Sequence, residues 1–572
     1  MPAGRNYLLG RGENLTTIIA PPGGGGDKSH PYSFEEAKIA LVPRVVETCS
    51  VLDDLPLIAC PVDQAIAVLT LHPAYLAKSY SPVGFLSAVG LRSVGSRTTT
   101  IVPRKVSNPN MEGVRIATTE LFIAGPRHQF RSFAQEIATW MESQDGAIDL
   151  IKIEDFRALS AEERIGHISS TSHEPLLEVA LHGAGLPINV VLDSFYHYVM
   201  DLGIHVDLNQ RLIAGSLLFL PIRVPLNLVP SLARFSFLRK VREMPSLRLS
   251  KPENWLISSQ RESISYSLPY DGPLDSGMKV AVFDGGLPVE PDLSLWVRQK
   301  EVADIDSAVP EYLDHGLAVT SALLFGPLSE DQEAPRPYAH VDHYRVLDDK
   351  TLTDPQGELY PVLNRIIDIL ASSSYDFVCL SIGPDQPIED DIVDPWTTLL
   401  DQSFASGDTL AAIAVGNTGT FDRDAGLNRI QPPADCVNAL AVGACDNSKF
   451  SWSRAPYSST GPGRSPGRIK PDVLAFGGTD MNPYFVVAAG SDDLAIPVSG
   501  TSLAGPTALR TGLGLRAHLG SSLRPLAIKA LLTHQSDMHY ENHSYEDYGW
   551  GRVRNEIESM LTCSDDTVHV VY

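Results

Sequence analysis

Apolar positions along residues 65–155 recur with the period of strands and helices in turn, and they predict strand, helix, strand, strand, helix, strand. The segments are AIAVLTLHP (65–73), YLAKSYSPVGFLSAVG (75–90), LRSVGSRTTTIV (91–102), RIATTELFIAG (115–125), HQFRSFAQEIATWM (128–141) and AIDLIKIEDF (147–156). This is the split βαβ, or ferredoxin-like, order. A similar order recurs from 174 to 250. LLEVALHG reads as a strand, INVVLDSFYHYVMDLG as a helix, RLIAGSLLFLPIRV as one strand or a pair, LVPSLARFSFLRKV as a helix and REMPSLRL as a last strand. No repeat of identities accompanies this repeat of pattern.

Beyond Gly277 the pattern changes. Short apolar strands alternate with helical runs: MKVAVFD, HGLAVTSALLFG, YAHVDHYRVLD, YPVLNRIIDILASS, YDFVCLSI, DPWTTLLDQSFASG, TLAAIAVGN and ALAVGAC. Strands buried on both faces and joined by helical crossovers predict a parallel α/β sheet with helices on both faces. The expected fold is therefore α/β, preceded by two small α+β modules. Its divisions are 1–60 (an extension with the Gly-rich linker APPGGGGDKSHP at 20–31 and a helix opened by the capping box Ser33–Glu36), 61–160, 161–250, a linker 251–275, the sheet domain 276–560, and 561–572, where DDTVHVVY begins a further β segment.

Composition narrows the function classes. A chain of 572 residues is too long for one core. A formal charge of −24 opposes nucleic acid and anionic membranes as partners. The most apolar run, LIAGSLLFLPI, stops at Arg223 and is too short to span a bilayer, and the N-terminus lacks the apolar core of a secretory signal. Six cysteines are scattered without metal-type spacing; Cys379, inside FVCLSI, reads as a free buried thiol. These features fit a cytoplasmic protein; no cofactor and no metal ligand are assigned, and calcium sites stay open.

In parallel sheets, sites form at the carboxyl ends of strands. Asp284 ends the strand VAVFD, His315 opens a helix in DHGLAVTS, Asn417 ends AAIAVGN, and Ser502 opens the helix of GTSLAGP. An Asp, a His and a Ser gathered on one rim can form a nucleophilic relay. Each residue alone has a bland reading: a helix cap for Ser502, a strand-end turn for Asp284, a helix residue for His315 and a turn asparagine for Asn417. Only the ordered set points to chemistry. HVDHY (340–344) and the trio His534, His539 and His543 match no metal-ligand spacing and read as strand or surface histidines. The acidic run EDDIVD (389–394) reads as a solvated helix start, and FYHYVM as core.

These motifs resemble the subtilisin-like serine peptidases (subtilases), in the order Asp, His, Ser. VAVFDGG resembles the Asp motif, HGLAVTS the His motif, AVGNTG the oxyanion-hole motif, and GTSLAGP the nucleophile motif, whose helix carries Pro506. VLD (346–348), SIG (381–383), KPDVLAFGG (470–478) and YGWGRV (548–553) agree, so the resemblance covers roughly 276–560. It implies a triad of Asp284, His315 and Ser502, with Asn417 and the Ser502 backbone N–H at the oxyanion and Ser381, Ile382 and Gly383 along the substrate. Two positions depart from it: Gly285 follows the Asp where the family usually has Ser or Thr, and Leu317 stands where Thr is common.

The resemblance also makes 161–250 propeptide-like, 61–160 a sensor or docking module, and the whole a bacterial intracellular type, with an ATPase partner and a role in defence. Protein or peptide is the implied substrate. Two rivals remain: a catalytically silent pseudoprotease that binds peptides, favoured by Gly285, and an esterase-like hydrolase, disfavoured because Ser502 lacks a G-x-S-x-G elbow.

Overall fold

The computed structural model describes residues 7–9, 30–77, 80–248, 262–449, 451–465, 467–538, 543–554, 556–562 and 569–571. Most of the linker expected at 20–31, together with His539 and Cys563, lies outside them. The chain divides into two compact units. One comprises Ala20–Met244 with Asp390–Pro395; the other comprises Met1–Ile19, Pro245–Glu389 and Trp396–Tyr572.

The first unit opens with helix α1 (Phe34–Asp53), whose Ser33–Glu36 capping box forms as expected. Four antiparallel strands follow: β1 (Gln64–Leu71), β2 (Arg92–Ile101), β3 (Ile116–Pro126) and β4 (Ile153–Ala158), in the order β2-β3-β1-β4. Helix α2 (Arg127–Glu136) connects β3 to the segment before β4 and buries Phe130 and Phe133. The sequence places the last strand from 147, but Ala147–Lys152 forms a 3-10 helix instead. Asp149 there accepts a bond from the Phe85 N–H at 3.0 Å, a contact that a strand would not offer.

The second module repeats the plan with β5 (Leu176–His182), α3 (Ile188–Asp201), β6 (Leu212–Ala214), β7 (Leu217–Arg223) and β8 (Leu238–Glu243), ordered β6-β7-β5-β8. The helix expected over 228–241 is confined to Val229–Leu232. Residues 238–243 join the sheet because their apolar positions satisfy β5, with Val179 opposite Val241. Local helical spacing loses there to a two-sided strand environment.

The second unit is built on seven parallel strands, β9 (Val280–Asp284), β10 (Val297–Glu301), β11 (Val341–Arg345), β12 (Phe377–Leu380), β13 (Leu410–Ala414), β14 (Leu440–Cys445) and β15 (Val473–Phe476). Their order is β10-β11-β9-β12-β13-β14-β15. Helices flank this sheet, among them α4 (Pro310–Phe325) and α5 (Thr501–Leu519), which packs across β12 to β15. From β9 the chain goes first to the edge strand β10, returns to place β11 between the two, and then crosses to β12 on the other side of β9. The boundary between β9 and β12 is thus a topological switch point, the place where open α/β sheets form their sites. A smaller sheet pairs Leu494–Val498 with Tyr484–Val487 and with Ile264–Ser267, and delivers the chain into α5. The C-terminal strand His569–Val571 has a partner in Tyr7–Leu9, with which it runs parallel.

Candidate active site

Asp284 is the last residue of β9, and its carbonyl accepts from the Val346 N–H at 2.9 Å. His315 lies in the second turn of α4 rather than at its opening, because Pro310 starts that helix five residues earlier. The structure joins the two. His315 Nδ1 stands 2.7 Å from Asp284 Oδ1, and both side chains are fully buried. The same oxygen accepts the Gly285 N–H at 2.8 Å. A carboxylate so placed fixes Nδ1 as the protonated ring nitrogen and turns Nε2 into the base.

Gly285 has a steric reason. A Cβ at this position would collide with the Tyr312 carbonyl and Cβ one turn before His315. The helix backbone fills the space that a serine or threonine would need.

Behind this pair stands His343, a buried residue of β11 whose position the sequence assigned only to an ordinary strand histidine. Its Nε2 accepts the Gly286 N–H at 3.1 Å, so Nδ1 carries the proton and donates to Thr320 Oγ1 at 2.8 Å. His343 therefore ties the loop after Asp284 to the helix that carries His315. Burial and the neighbouring His315 push its pKa down to about 4, against the pull of Asp284.

Ser502 is the second residue of α5 and only 4% exposed. Pro506 lies four residues on and cannot donate to the Ser502 carbonyl as an ordinary helix residue would. Ser381, just past β12, supplies the donor instead: its Oγ meets the Ser502 carbonyl at 3.1 Å. Asn417 lies three residues beyond the end of β13, not within the strand. Its Oδ1 accepts the Thr501 N–H at 3.0 Å and the Thr501 hydroxyl at 2.9 Å, which fixes the amide beside the start of α5.

Ile382 and Gly383 are both buried, and the edge they belong to is already occupied by another stretch of chain. The Arg248 N–H donates to the Gly383 carbonyl at 2.8 Å, and the Asp385 N–H donates to the Ser246 carbonyl at 2.8 Å. Leu247 and Pro384 form the antiparallel bridge between them. Sequence reasoning missed Arg248 and the role of His343. The strand-like pattern of REMPSLRL was a signal for the first, since an extended segment with nothing to pair needs an edge.

Among the described residues, no group of histidine, cysteine or acidic side chains is placed to hold a metal ion. Cys379 is free and buried, and burial pushes its thiol pKa up, so it is poorly suited to act as a nucleophile.

The sequence model of the subtilase family matches residues 199–551. The chain belongs to the subtilase family. That match begins well before residue 276, inside α3. Among curated proteins none matches. Solved structures similar to this subtilase include fervidolysin from Fervidobacterium pennivorans, a keratinolytic enzyme related to subtilisin, at 17% identity and a TM-score of 0.44, covering 69% of this chain and 62% of that one. The epidermin leader peptide processing serine protease from Staphylococcus aureus is 14% identical with a TM-score of 0.42, over 68% of this chain and 98% of that one. The prenylagaramide maturation protease PagA is 18% identical with a TM-score of 0.37, over 50% and 93%. The chain thus spans about three-fifths of fervidolysin's length. Among the described residues no helix is long and apolar enough to cross a membrane.

Proposed function

We propose that this subtilase is a serine endopeptidase in which Ser502 is the nucleophile, His315 the general base and then acid, and Asp284 the group that orients and stabilises the imidazolium. The observation that carries the reading is the fully buried Asp284–His315 pair at the switch point of the sheet, 2.7 Å between Oδ1 and Nδ1. In this reading His315 Nε2 takes the Ser502 proton as Oγ attacks the scissile carbonyl. The Ser502 N–H at the start of α5 and Asn417 Nδ2 receive the oxyanion; the engagement of Asn417 Oδ1 with Thr501 supports that orientation. His315 then returns its proton to the leaving amine, and water repeats the sequence on the acyl-enzyme.

The edge Ser381–Gly383 pairs with substrate backbone by strand addition. Residues 161–250 act as a propeptide-like restraint and 61–160 as a docking module; the pairing of 246–248 with 383–385 supports restraint, because it uses the edge a substrate would need. An ATPase partner and a cytoplasmic setting belong to this reading through the resemblance, and the free cysteines are compatible with the setting. The pseudoprotease reading rested on Gly285, which the packing of Tyr312 accounts for without loss of the Asp–His contact.

Labelling with a fluorophosphonate tests the reading. Wild type labels and Ser502→Ala does not; a folded wild type that never labels, even with residues 246–248 removed from the edge by substitution, rejects it.

A further inference from the structure

We propose that the pocket bounded by Gly383, Ala414 and Pro432 is a guanidinium site, so that the peptidase selects arginine in its substrate, and that Arg248 is the pocket's built-in occupant. The inference rests on the peptidase reading for its catalytic consequence, but the pocket itself is argued from contacts alone. Arg248 Nη1 donates to the Ala414 carbonyl at 3.1 Å and Nη2 to the Pro432 carbonyl at 3.0 Å. Ala414 ends β13, three residues before Asn417, and the Arg248 backbone hangs on Gly383, two residues after Ser381. The guanidinium therefore lies between the two segments that flank the start of α5.

Three features make this a built site rather than a resting place. Gly383 leaves the entrance open: a Cβ there would collide with the Pro432 carbonyl and come within 2.8 Å of Arg248 Nη2. Asp385 supplies the counter-charge and is itself held by Gln431 Nε2 at 2.9 Å from its Oδ1. Finally, the pocket offers main-chain carbonyls in two directions, which suits a planar fork of donors and not the point charge of a lysine. Burial pushes the Arg248 pKa down to about 10, with Asp385 opposing, so the side chain remains a cation at neutral pH. A cation is held in such a place only when acceptors surround it.

The occupant does not saturate the site. Arg248 Nε and Gln431 Oε1 are each buried with no partner among the described residues, one a donor and one an acceptor. A substrate arginine seated differently can use what Arg248 leaves unmet, which is how a built-in occupant can be displaced.

The experiment compares full-length wild type, Arg248→Ala and Arg248→Met on fluorogenic peptides that carry arginine, lysine or phenylalanine before the scissile amide. Benzamidine binding to the same three chains, each with Ser502→Ala, is measured by calorimetry. Freeing the pocket is expected to raise kcat/KM for the arginine peptide by about tenfold or more, with phenylalanine at least about a hundredfold poorer than arginine, because its ring leaves the Ala414 and Pro432 carbonyls unpaired. Benzamidine binds both Arg248 variants and not the chain that keeps Arg248; Arg248→Met, which keeps the apolar stem, serves if Arg248→Ala does not fold. Preference for phenylalanine, or equal benzamidine binding with and without Arg248, overturns the proposal. Fluorophosphonate labelling separates the two readings. Labelling without benzamidine binding rejects the pocket alone, and benzamidine binding without labelling rejects the peptidase alone.

Discussion

In the antiparallel sheet of the second module, Arg242 Nε lies 2.7 Å from Glu178 Oε2 and its Nη2 lies 3.1 Å from Asp394 Oδ2, so one buried cation meets two buried carboxylates. In the parallel sheet Asp284 is as deeply buried, yet its Oδ1 is shared between one backbone N–H and His315, and its Oδ2 has no partner among the described residues. The first arrangement gives each buried carboxylate a cationic partner and holds the unit together. The second leaves an anion under-satisfied beside an imidazole, which is how a protein stabilises a proton on that ring when chemistry puts it there. Buried charge alone does not distinguish the two places; how completely it is paired does.

The largest effects should come from the parallel sheet. Ser502→Ala should lower peptide hydrolysis by about 10⁴–10⁶-fold while leaving the unfolding midpoint nearly unchanged. His315→Ala should cost about as much in rate, and as much as the pair together, but should also lower the midpoint, because it leaves the buried Asp284 without its imidazole. Steady-state rates on a peptide substrate and a urea titration of the same samples read both. Arg242→Ala should do the reverse. It leaves Glu178 and Asp394 without their shared cation and should destabilise the unit that holds them by about 3–5 kcal/mol, as breaking one side of a buried pair does. Equal effects of Arg242→Ala on the rate per folded molecule would remove the contrast drawn above. On the proposed reading Asn417→Ala is intermediate, about 10²–10³ in kcat with little change in KM, since an oxyanion donor would act in the transition state.

Much of this contrast could be read from the chain before its fold. The apolar runs from 280 to 283 and 410 to 415 marked strands buried on both faces, and four ordered motifs picked out Asp284, His315, Asn417 and Ser502. What local pattern could not supply was partnership. Residues 238–243 carry helical spacing but pair with β5, and 147–152 look like a strand but tighten around Asp149. His343 and Arg248 were invisible for the same reason: their partners lie 23 and 57, and 166 and 184, positions away. The composition of HVDHY says nothing of a ring wedged between a loop and a helix.

That ring gives a pH test of modest size. His343 is neutral in the folded protein, with its pKa pushed down to about 4, whereas in the unfolded chain it titrates near its ordinary value of about 6.5. Between these values the unfolded chain binds more protons at this position. The stabilisation is therefore fully present above about pH 6.5 and is lost progressively as the pH falls toward 4. Urea midpoints for wild type and His343→Gln should diverge less at pH 4.5 than at pH 7.5; parallel curves would mean that His343 is not buried neutral.

The smallest effect probes the join between Ser381 and the start of α5. Ser381→Ala removes the donor to the Ser502 carbonyl and should cost about 1–2 kcal/mol, since a buried acceptor is then left unmet. Pro506→Ala alone restores a backbone N–H four residues after Ser502, which competes with the Ser381 hydroxyl for the same oxygen. In the double variant that N–H takes the acceptor, so the loss caused by Ser381→Ala should shrink when Pro506 is already alanine. A double-mutant cycle on urea midpoints reads the coupling directly. A coupling of zero would mean that the helix start is held by Asn417 and Thr501 without help from Ser381. A positive one would explain why a proline can stand inside this helix: its missing bond is made from the end of β12, and the same bond sets Ser502 against the edge Ser381–Gly383.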